Sequence, residues 1–216
     1  MEDGLFLVLE GVEGAGKTTQ VRMLEEWIEG LGKSVTTPRE PGGTALGEAV
    51  RRVLLDRPEM AVSPESELLL VLAARAAFVK DVVLPARARG DIVVADRFSL
   101  STLAYQGYGR GVALEAVQRL DTFARAGLEP DLTLLLDLPP EEGARRQRIA
   151  GKSRDRIEQA GEAFHARVAA GYRALAASGD HRIKVIDAVG TTDVVHGLVQ
   201  AALRDAFPGT FRSPTG

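Results

Sequence analysis

We predict an α/β fold in which helices cover both faces of a five-stranded parallel sheet. Apolar runs with strand character alternate with segments of helical period along the chain. These runs are continuously apolar, as in Ile92-Val93-Val94-Ala95, rather than alternating between apolar and polar residues. Strands of this kind are covered on both faces, which is typical of a parallel sheet in a three-layer α/β/α domain. A glycine-rich turn between the first strand and the first helix supports the same fold class.

The elements alternate in order along the chain. Strands are predicted at residues 5–9, 34–37, 91–95, 131–137 and 182–187. Helices are predicted at residues 18–31, 45–55, 65–86, 99–126, 141–150, 158–177 and 193–206. Since the 216 residues contain no long linker and no internal repeat, we expect one domain over residues 1–207. Residues 208–216 contain two prolines and two glycines and are predicted to form a flexible tail.

Composition excludes several classes of protein. A net charge of −3 provides no global basic field for binding nucleic acid. No apolar run approaches the roughly 18 residues that a membrane span needs. The absence of cysteine excludes disulfides and thiolate metal sites and is typical of a reducing cytosol. The first strand begins too soon after Met1 for a secretory signal, so we expect a cytoplasmic protein with no nucleic-acid or membrane partner.

Residues 11–18, which we call the phosphate loop, form the most specific motif. Small residues at positions 14–16 allow successive backbone N–H groups to point at phosphate oxygens, and the following helix adds its partial positive charge. Lys17 is expected to reach the β- and γ-phosphates of a nucleoside triphosphate, and the Thr18 hydroxyl to ligate Mg²⁺. The alternative is a chance glycine-rich turn. The loop fits the pattern G-x-x-x-x-G-K-[ST] and reads Gly11-Val12-Glu13-Gly14-Ala15-Gly16-Lys17-Thr18.

Polar residues also follow the second and third predicted strands, at the edge where parallel sheets bind ligands. Asp96 is expected to hold Mg²⁺ through water, and Arg97 to clamp a second phosphate. An ordinary ion pair at the strand end is the alternative for these two residues. Residues 39–44 after the second strand form either a shaped ligand loop or a plain turn in which Thr44 caps the next helix.

A basic segment at about residues 145–157 is predicted to act as a lid. It is helical at its start, breaks at Gly151 and is rich in arginine. A basic flap would exclude water and neutralise the charge of a phosphoryl group in transfer, although a solvated helical face is the alternative. On the helix after the third strand, Thr102, Tyr105 and Gln106 lie within one turn and could contact the sugar or base of a second substrate.

Four ordered motifs resemble those of bacterial thymidylate kinases, a family of nucleoside monophosphate kinases. The resemblance implies the P-loop kinase fold with a short lid, transfer of the γ-phosphoryl group of ATP to dTMP giving dTDP and ADP, and a place in dTTP biosynthesis. It also implies Mg²⁺ as cofactor and a homodimer. The motifs are residues 6–19, residues 39–44, Asp96-Arg97-Phe98 with residues 101–107, and Asp155-Arg156-Ile157-Glu158.

The resemblance further implies roles for single residues toward dTMP. Glu13 would contact the sugar 3′-hydroxyl, Arg97 would hold the phosphate, and Arg75 would hydrogen-bond the thymine edge. Thr102, Tyr105 and Gln106 would line the nucleoside pocket, with Tyr105 against the 2′ position. Val71 stands where the family commonly has a phenylalanine that stacks on the base, and an aliphatic residue there would cover the base with less aromatic stacking energy.

On the donor side, the resemblance implies that residues 11–18 hold ATP phosphates and that Ala188 flanks adenine. Position 14 is glycine rather than arginine, so the catalytic arginine is expected from the lid, with Arg154 and Arg156 as candidates beside Lys17 and Arg97. Two other functions stay open. One is a related kinase that acts on another nucleotide. The other is a nucleotide-dependent switch, although a chain without asparagine cannot contain the Asn-Lys-x-Asp motif of a GTPase.

Overall fold

The computed structural model describes residues 4–57, 59–151 and 155–211, and these contain five strands and ten α-helices. The strands are β1 (Phe6–Gly11), β2 (Val35–Thr36), β3 (Ile92–Asp96), β4 (Leu132–Asp137) and β5 (Ile183–Asp187). The helices are α1 (Lys17–Gly30), α2 (Ala45–Leu55), α3 (Pro64–Phe78), α4 (Leu84–Ala88), α5 (Ser99–Thr102), α6 (Leu114–Ala124), α7 (Pro140–Ile149), α8 (Glu162–Ala176), α9 (Thr192–Ala206) and α10 (Pro208–Phe211). Two π-helical segments, Val79–Val83 and Leu103–Gly109, connect α3 to α4 and extend α5.

All strand pairs are parallel, in the order β2-β3-β1-β4-β5. The central strand β1 is buried along its whole length and separates two apolar clusters. Leu7 and Leu9 pack on the face covered by α1, α8 and α9, whereas Phe6 and Val8 pack on the face covered by Phe78 and the π-helical segment after it. Because both faces are covered, the strand is apolar at consecutive positions. The predicted three-layer α/β fold is therefore confirmed.

The register of the sheet sets where the functional residues lie. Leu9 of β1 pairs with Asp96 of β3, and Gly11 pairs with Leu136 of β4. The carboxyl ends of the three central strands therefore meet at one edge. The phosphate loop and the turn after β3 leave the sheet together at this edge, as expected for a parallel sheet.

Several predicted boundaries differ from the structure. The helix predicted at 99–126 breaks after Gly109, and the chain passes through Gly111 with a φ of 81° before α6 begins. The helix predicted at 158–177 begins only at Glu162, because the Asp155 carboxylate accepts the backbone N–H groups of residues 157 and 158 in a turn.

The start of the predicted flexible tail is also different. Residues 208–211 form α10, and the Phe211 ring is buried and stacked on Trp27 with a centroid separation of 5.3 Å. The prediction is therefore wrong for these four residues, since an aromatic ring gains free energy by leaving water. Residues 212–216 lie outside the described part of the chain. No described helix combines the length and the apolar character that crossing a membrane requires.

Candidate functional site

A cavity of about 980 Å³ opens at the carboxyl edge of the sheet. Its walls come from the phosphate loop, the turns after β2 and β3, α3 and the C-terminal end of α7. The predicted site residues that line it are Glu13, Gly14, Ala15, Gly16, Lys17, Thr18, Val71, Arg75, Asp96, Arg97, Thr102, Tyr105 and Gln106. Predicted site residues as far apart in the sequence as Glu13 and Gln106 therefore line one cavity.

The phosphate loop lies at one end of the cavity, and the Lys17 side chain folds back onto the start of the loop. Gly16 adopts a φ of 95° and α1 begins at the next residue. The Lys17 ammonium donates to the carbonyl oxygens of Gly11 and Val12, both at 2.9 Å. Burial, and after it the positive charge of Arg97, lowers the pKa of Lys17 to about 8. The carboxylates of Asp96, Glu13 and Glu10 act in the opposite direction but do not restore the ordinary pKa.

Thr18 and Asp96 meet beside the loop. The Thr18 hydroxyl donates to the Asp96 carboxylate at 2.9 Å. Oxygen atoms of this kind are the ligands that Mg²⁺ prefers, and Mg²⁺ usually keeps several waters and takes further ligands from substrate phosphates. Within the described residues there is no cluster of three or more histidine, cysteine or acidic side chains that could hold a metal ion by itself.

Arg97 reaches across the cavity from the end of β3. Its φ of 77° lies in the left-handed region, which a non-glycine residue adopts at a cost of about 1–2 kcal/mol. The guanidinium donates to the Gly11 carbonyl at 3.1 Å and to the hydroxyls of Ser101 and Tyr172 at 3.0 Å each. It also lies 3.2 Å from the Tyr105 hydroxyl. The strained backbone therefore places a cation at the cavity wall, where its direct partners are neutral oxygens and one carboxylate, that of Glu13.

Glu13, in the phosphate loop, faces Arg97 and Tyr105. It accepts a short hydrogen bond from the Tyr105 hydroxyl and lies 3.3 Å from the Arg97 guanidinium. Burial acts to raise its pKa, but the charges of Arg97 and Lys17 outweigh burial and lower the pKa. Its second oxygen lies 3.6 Å from His165 of α8. Glu13 is therefore an ionised carboxylate between the two ends of the cavity.

Glu10 supports the turn that presents Arg97, and sequence analysis assigned it no role. One carboxylate oxygen accepts the backbone N–H groups of Phe98 and Ser101 at 2.8 and 3.0 Å. The other accepts the hydroxyls of Ser101 at 2.5 Å and Tyr172 at 3.0 Å. A fully buried acid at the end of an apolar strand was the available signal, because a buried charge requires partners.

Arg75 of α3 is only 1% exposed and lies at the other end of the cavity. Its guanidinium donates twice to one oxygen of Glu40, at 2.9 and 2.6 Å, and to the Thr102 hydroxyl at 2.8 Å. Asp121 of α6 accepts a further hydrogen bond at 2.5 Å. These bonds use four of the five N–H groups of the side chain. Among the described residues one N–H of Arg75, on Nη2, therefore has no acceptor, and Arg75 lines the cavity.

Glu40 completes this end of the site. Burial raises its pKa to about 7, although Arg75 acts in the opposite direction. Its second oxygen is buried and has no hydrogen-bond partner among the described residues. In the same loop, Thr44 accepts the backbone N–H of Gly47 at 2.9 Å, so the predicted helix cap is present.

Of the two lid arginines proposed from sequence, only Arg156 belongs to the described residues, and Arg154 lies outside them. The Arg156 guanidinium donates to the Leu54 carbonyl and to Glu67, both at 2.7 Å. It lies against α2 and α3 and is not among the residues that line the cavity. The residues of this segment that do line it include Arg146 and Gln147 of α7.

Ala188 is fully buried and does not line the cavity. Its carbonyl oxygen accepts a hydrogen bond from Arg146 at 3.0 Å. The wall beside it is formed by Gly190, Thr191 and Thr192. The expected adenine contact at Ala188 thus stays a prediction, with its near neighbours exposed to the cavity.

Comparison with known proteins gives a consistent result. A family model described as thymidylate kinase matches residues 9–199. A thymidylate kinase of Pelotomaculum thermopropionicum is 47% identical over 207 residues, covering 94% of this chain and 96% of the relative. One from Nostoc punctiforme is 46% identical over 207 residues, with 95% and 98% covered. The solved thymidylate kinase of Ehrlichia chaffeensis is 31% identical, covers 94% of this chain and 99% of its own, and superposes with a TM-score of 0.76.

Proposed function

The chain belongs to the thymidylate kinase family, and on this premise we propose that it transfers the γ-phosphoryl group of ATP to dTMP, giving dTDP and ADP. The observation that carries the proposal is the cavity at the carboxyl edge of the sheet. It joins a phosphate loop at one end to an arginine-lined pocket at the other, so two nucleotides can meet with their phosphates between Lys17 and Arg97.

The donor half is the phosphate loop. Its backbone N–H groups and Lys17 would bind the β- and γ-phosphates of ATP, and the helix dipole of α1 would favour their negative charge. Thr18 and Asp96 fit Mg²⁺, since they offer adjacent oxygen atoms at the loop. When bound there, Mg²⁺ would neutralise charge on the β- and γ-phosphate oxygens.

The acceptor half begins at Arg97, which would hold the dTMP phosphate. Glu13 would accept a hydrogen bond from the sugar 3′-hydroxyl, and Tyr105, which Glu13 orients, would press against the 2′ position. An oxygen of the dTMP phosphate then attacks the γ-phosphorus in line as the bond to the ADP oxygen breaks. No covalent intermediate on the protein is needed, because alignment and charge stabilisation supply the catalysis.

The base would lie against α3. Val71 and Arg75 are one helical turn apart and both line the cavity, so Val71 would cover the face of the base while Arg75 donates to its edge. Gln106 and Thr102 complete this pocket.

We further propose Arg154 as the lid arginine that reaches the transferred phosphoryl group. The alternative, Arg156, is already bound to Glu67 and to the Leu54 carbonyl. An arginine released from such contacts would leave a buried carboxylate with fewer partners, which is costly.

A homodimer and a cytoplasmic location are part of the same proposal. Adjacent helices α3 and α6 expose large apolar side chains on their outer faces, with Phe123 86%, Leu69 56% and Leu120 40% exposed. Exposed apolar side chains on two adjacent helices are a feature of protein interfaces, and a second copy of the chain would cover them in the dimer. The lack of cysteine in the sequence supports the cytoplasm.

The test is ADP release from ATP in the presence of each nucleoside monophosphate in turn. We expect rapid release with dTMP and slow release with the others. Preference for another nucleotide would favour a related kinase. Release that does not depend on any acceptor would instead favour a nucleotide-dependent switch and contradict the proposal.

A further inference from the structure

Glu67 of α3 does not line the cavity, but it contacts Gln106, which does. Its side chain is 1% exposed. One carboxylate oxygen accepts hydrogen bonds from the Gln106 amide nitrogen and from Arg110, each at 3.0 Å. The other accepts from Arg110 at 3.1 Å and from Arg156 at 2.7 Å. A single buried carboxylate therefore joins the lid segment, α3 and the π-helical segment that carries Gln106.

This contact fixes the orientation of the Gln106 amide. Burial acts to raise the pKa of Glu67, but hydrogen bonds from Arg110, Gln106 and Arg156 outweigh burial and lower it. Glu67 is thus an ionised carboxylate, which only accepts hydrogen bonds. A reversed amide would set its carbonyl oxygen against the Glu67 oxygen with no proton between them. The amide nitrogen must therefore face Glu67, and the carbonyl oxygen faces away from it.

The Gln106 carbonyl oxygen is left for a ligand. Gln106 lines the cavity, and in the described part of the chain no donor contacts its side-chain oxygen. Arg75, on the neighbouring wall, retains one N–H. The pocket therefore presents one donor and one acceptor to the edge of a base.

A donor beside an acceptor matches one class of pyrimidine. Thymine and uracil carry a carbonyl oxygen next to a ring N–H, so each atom meets its complement. Cytosine carries an amino group next to an unprotonated ring nitrogen. In this pocket the amino group would face Arg75 and the ring nitrogen would face a carbonyl oxygen, so both contacts would be repulsive.

We propose that Glu67 is a positioning residue that sets the base specificity of the enzyme, because it orients the Gln106 amide to select an imide base and to reject cytosine. The inference rests on the proposed function, in which Arg75 and Gln106 face the base of the acceptor nucleotide. A site that leaves buried polar groups unpaired can reject a ligand by about 10⁴-fold. We therefore expect the wild-type protein to prefer dTMP over dCMP by a factor of that order.

The test is the ratio of kcat/KM for dTMP to kcat/KM for dCMP in Glu67→Gln. A neutral amide at position 67 can donate to the Gln106 carbonyl, so the Gln106 amide can reverse. We expect the ratio to fall at least about tenfold, with dTMP used less well and dCMP better. The matched control is Arg110→Gln, which removes another partner of Glu67 but leaves the contact between carboxylate and amide. Its ratio should stay within about threefold of wild type, because Arg156 and the Gln106 amide still donate to the carboxylate.

Each outcome separates the two proposals. If the wild-type protein does not use dTMP, the proposed function fails and this inference fails with it. If the wild type prefers dTMP and folded Glu67→Gln keeps the wild-type ratio, only the inference is overturned. Should Glu67→Gln not fold, Gln106→Leu decides: loss of the carbonyl must collapse the ratio of dTMP to dCMP, and an unchanged ratio overturns the inference.

Discussion

Gly14 and Gly143 bring the phosphate loop into backbone contact with the helix that leads into the lid. Gly14 has a φ of 75°, and a Cβ atom added there would lie 2.4 Å from the Gly143 carbonyl oxygen. That is about 1 Å short of the 3.4 Å at which ordinary contacts begin. In Gly14→Ala, either the loop or the start of α7 must therefore move.

The size of the effect follows from two separable contributions. A left-handed backbone conformation costs about 1–2 kcal/mol for a residue with a side chain. Overpacking against backbone adds about 1–3 kcal/mol. Gly32 provides the matched control, because its φ is 73° and an added Cβ would meet nothing within 4 Å. Gly32→Ala should show the first contribution alone, and Gly14→Ala should show both.

Urea unfolding followed by circular dichroism measures both variants, and steady-state ADP release measures their function. We expect Gly14→Ala to lose about 2–5 kcal/mol of the free energy of unfolding and about 100-fold in kcat, because a displacement near 1 Å misaligns reacting groups. Gly32→Ala should lose at most about 2 kcal/mol and keep its kcat. If the two variants agree within about 0.5 kcal/mol and in kcat, the contact between loop and α7 does not position the site.

Three further predictions concern charge and assembly. Arg97→Ala should lower kcat/KM for dTMP at least about 10³-fold while the Kd for ATP changes little, and an unchanged kcat/KM would remove Arg97 from the acceptor site. The Kd for ATP should rise about tenfold between pH 7 and pH 9, because free Lys17, with its pKa near 8, loses its proton over this range whereas phosphate binding requires the ammonium form. Calorimetry at pH 9 should therefore show that ATP binding takes up close to one proton. Lys17→Arg should show no such rise, and a flat wild-type profile would contradict the reasoning. Phe123→Asp should shift the protein to monomer in sedimentation, whereas Val194→Asp, at an exposed apolar residue on α9, should not. A wild-type monomer would refute the dimer.

The sequence was informative where a local pattern has a local cause. The phosphate loop, the apolar strands and the polar residues at their carboxyl ends follow from backbone geometry and from burial on two faces. Asp96 and Thr18 were assigned to one metal site although 78 positions separate them, because parallel strands end at one edge. The segment predicted as one helix at 65–86 contains a π-helical stretch between two α-helices, with no break in the chain of helical residues. The spacing of apolar residues does not distinguish a π-helical turn from an α-helical one.

The supporting carboxylates could not be predicted in the same way. Glu10 and Tyr172 are 162 positions apart, and Asp121 reaches Arg75 from another helix. Their partners depend on how α3, α6 and α8 pack, and on side-chain contacts that no short pattern contains. Arg156 shows the same limit: its position in a basic segment indicated a catalytic role, whereas tertiary packing places it between α2 and α3.

Arg75 and Arg97 show how the environment can suit one type of side chain to different kinds of ligand. Arg75 directly contacts two carboxyl groups, those of Glu40 and Asp121, so much of its charge is balanced before any ligand arrives. Such an arginine offers an oriented N–H rather than a free charge, which suits an uncharged base carbonyl. Arg97 directly contacts one carboxylate, that of Glu13, and otherwise neutral oxygens. Its charge is less fully compensated by its direct contacts, which suits a phosphate. Exchanging these environments, rather than the arginines themselves, would be required to exchange their roles.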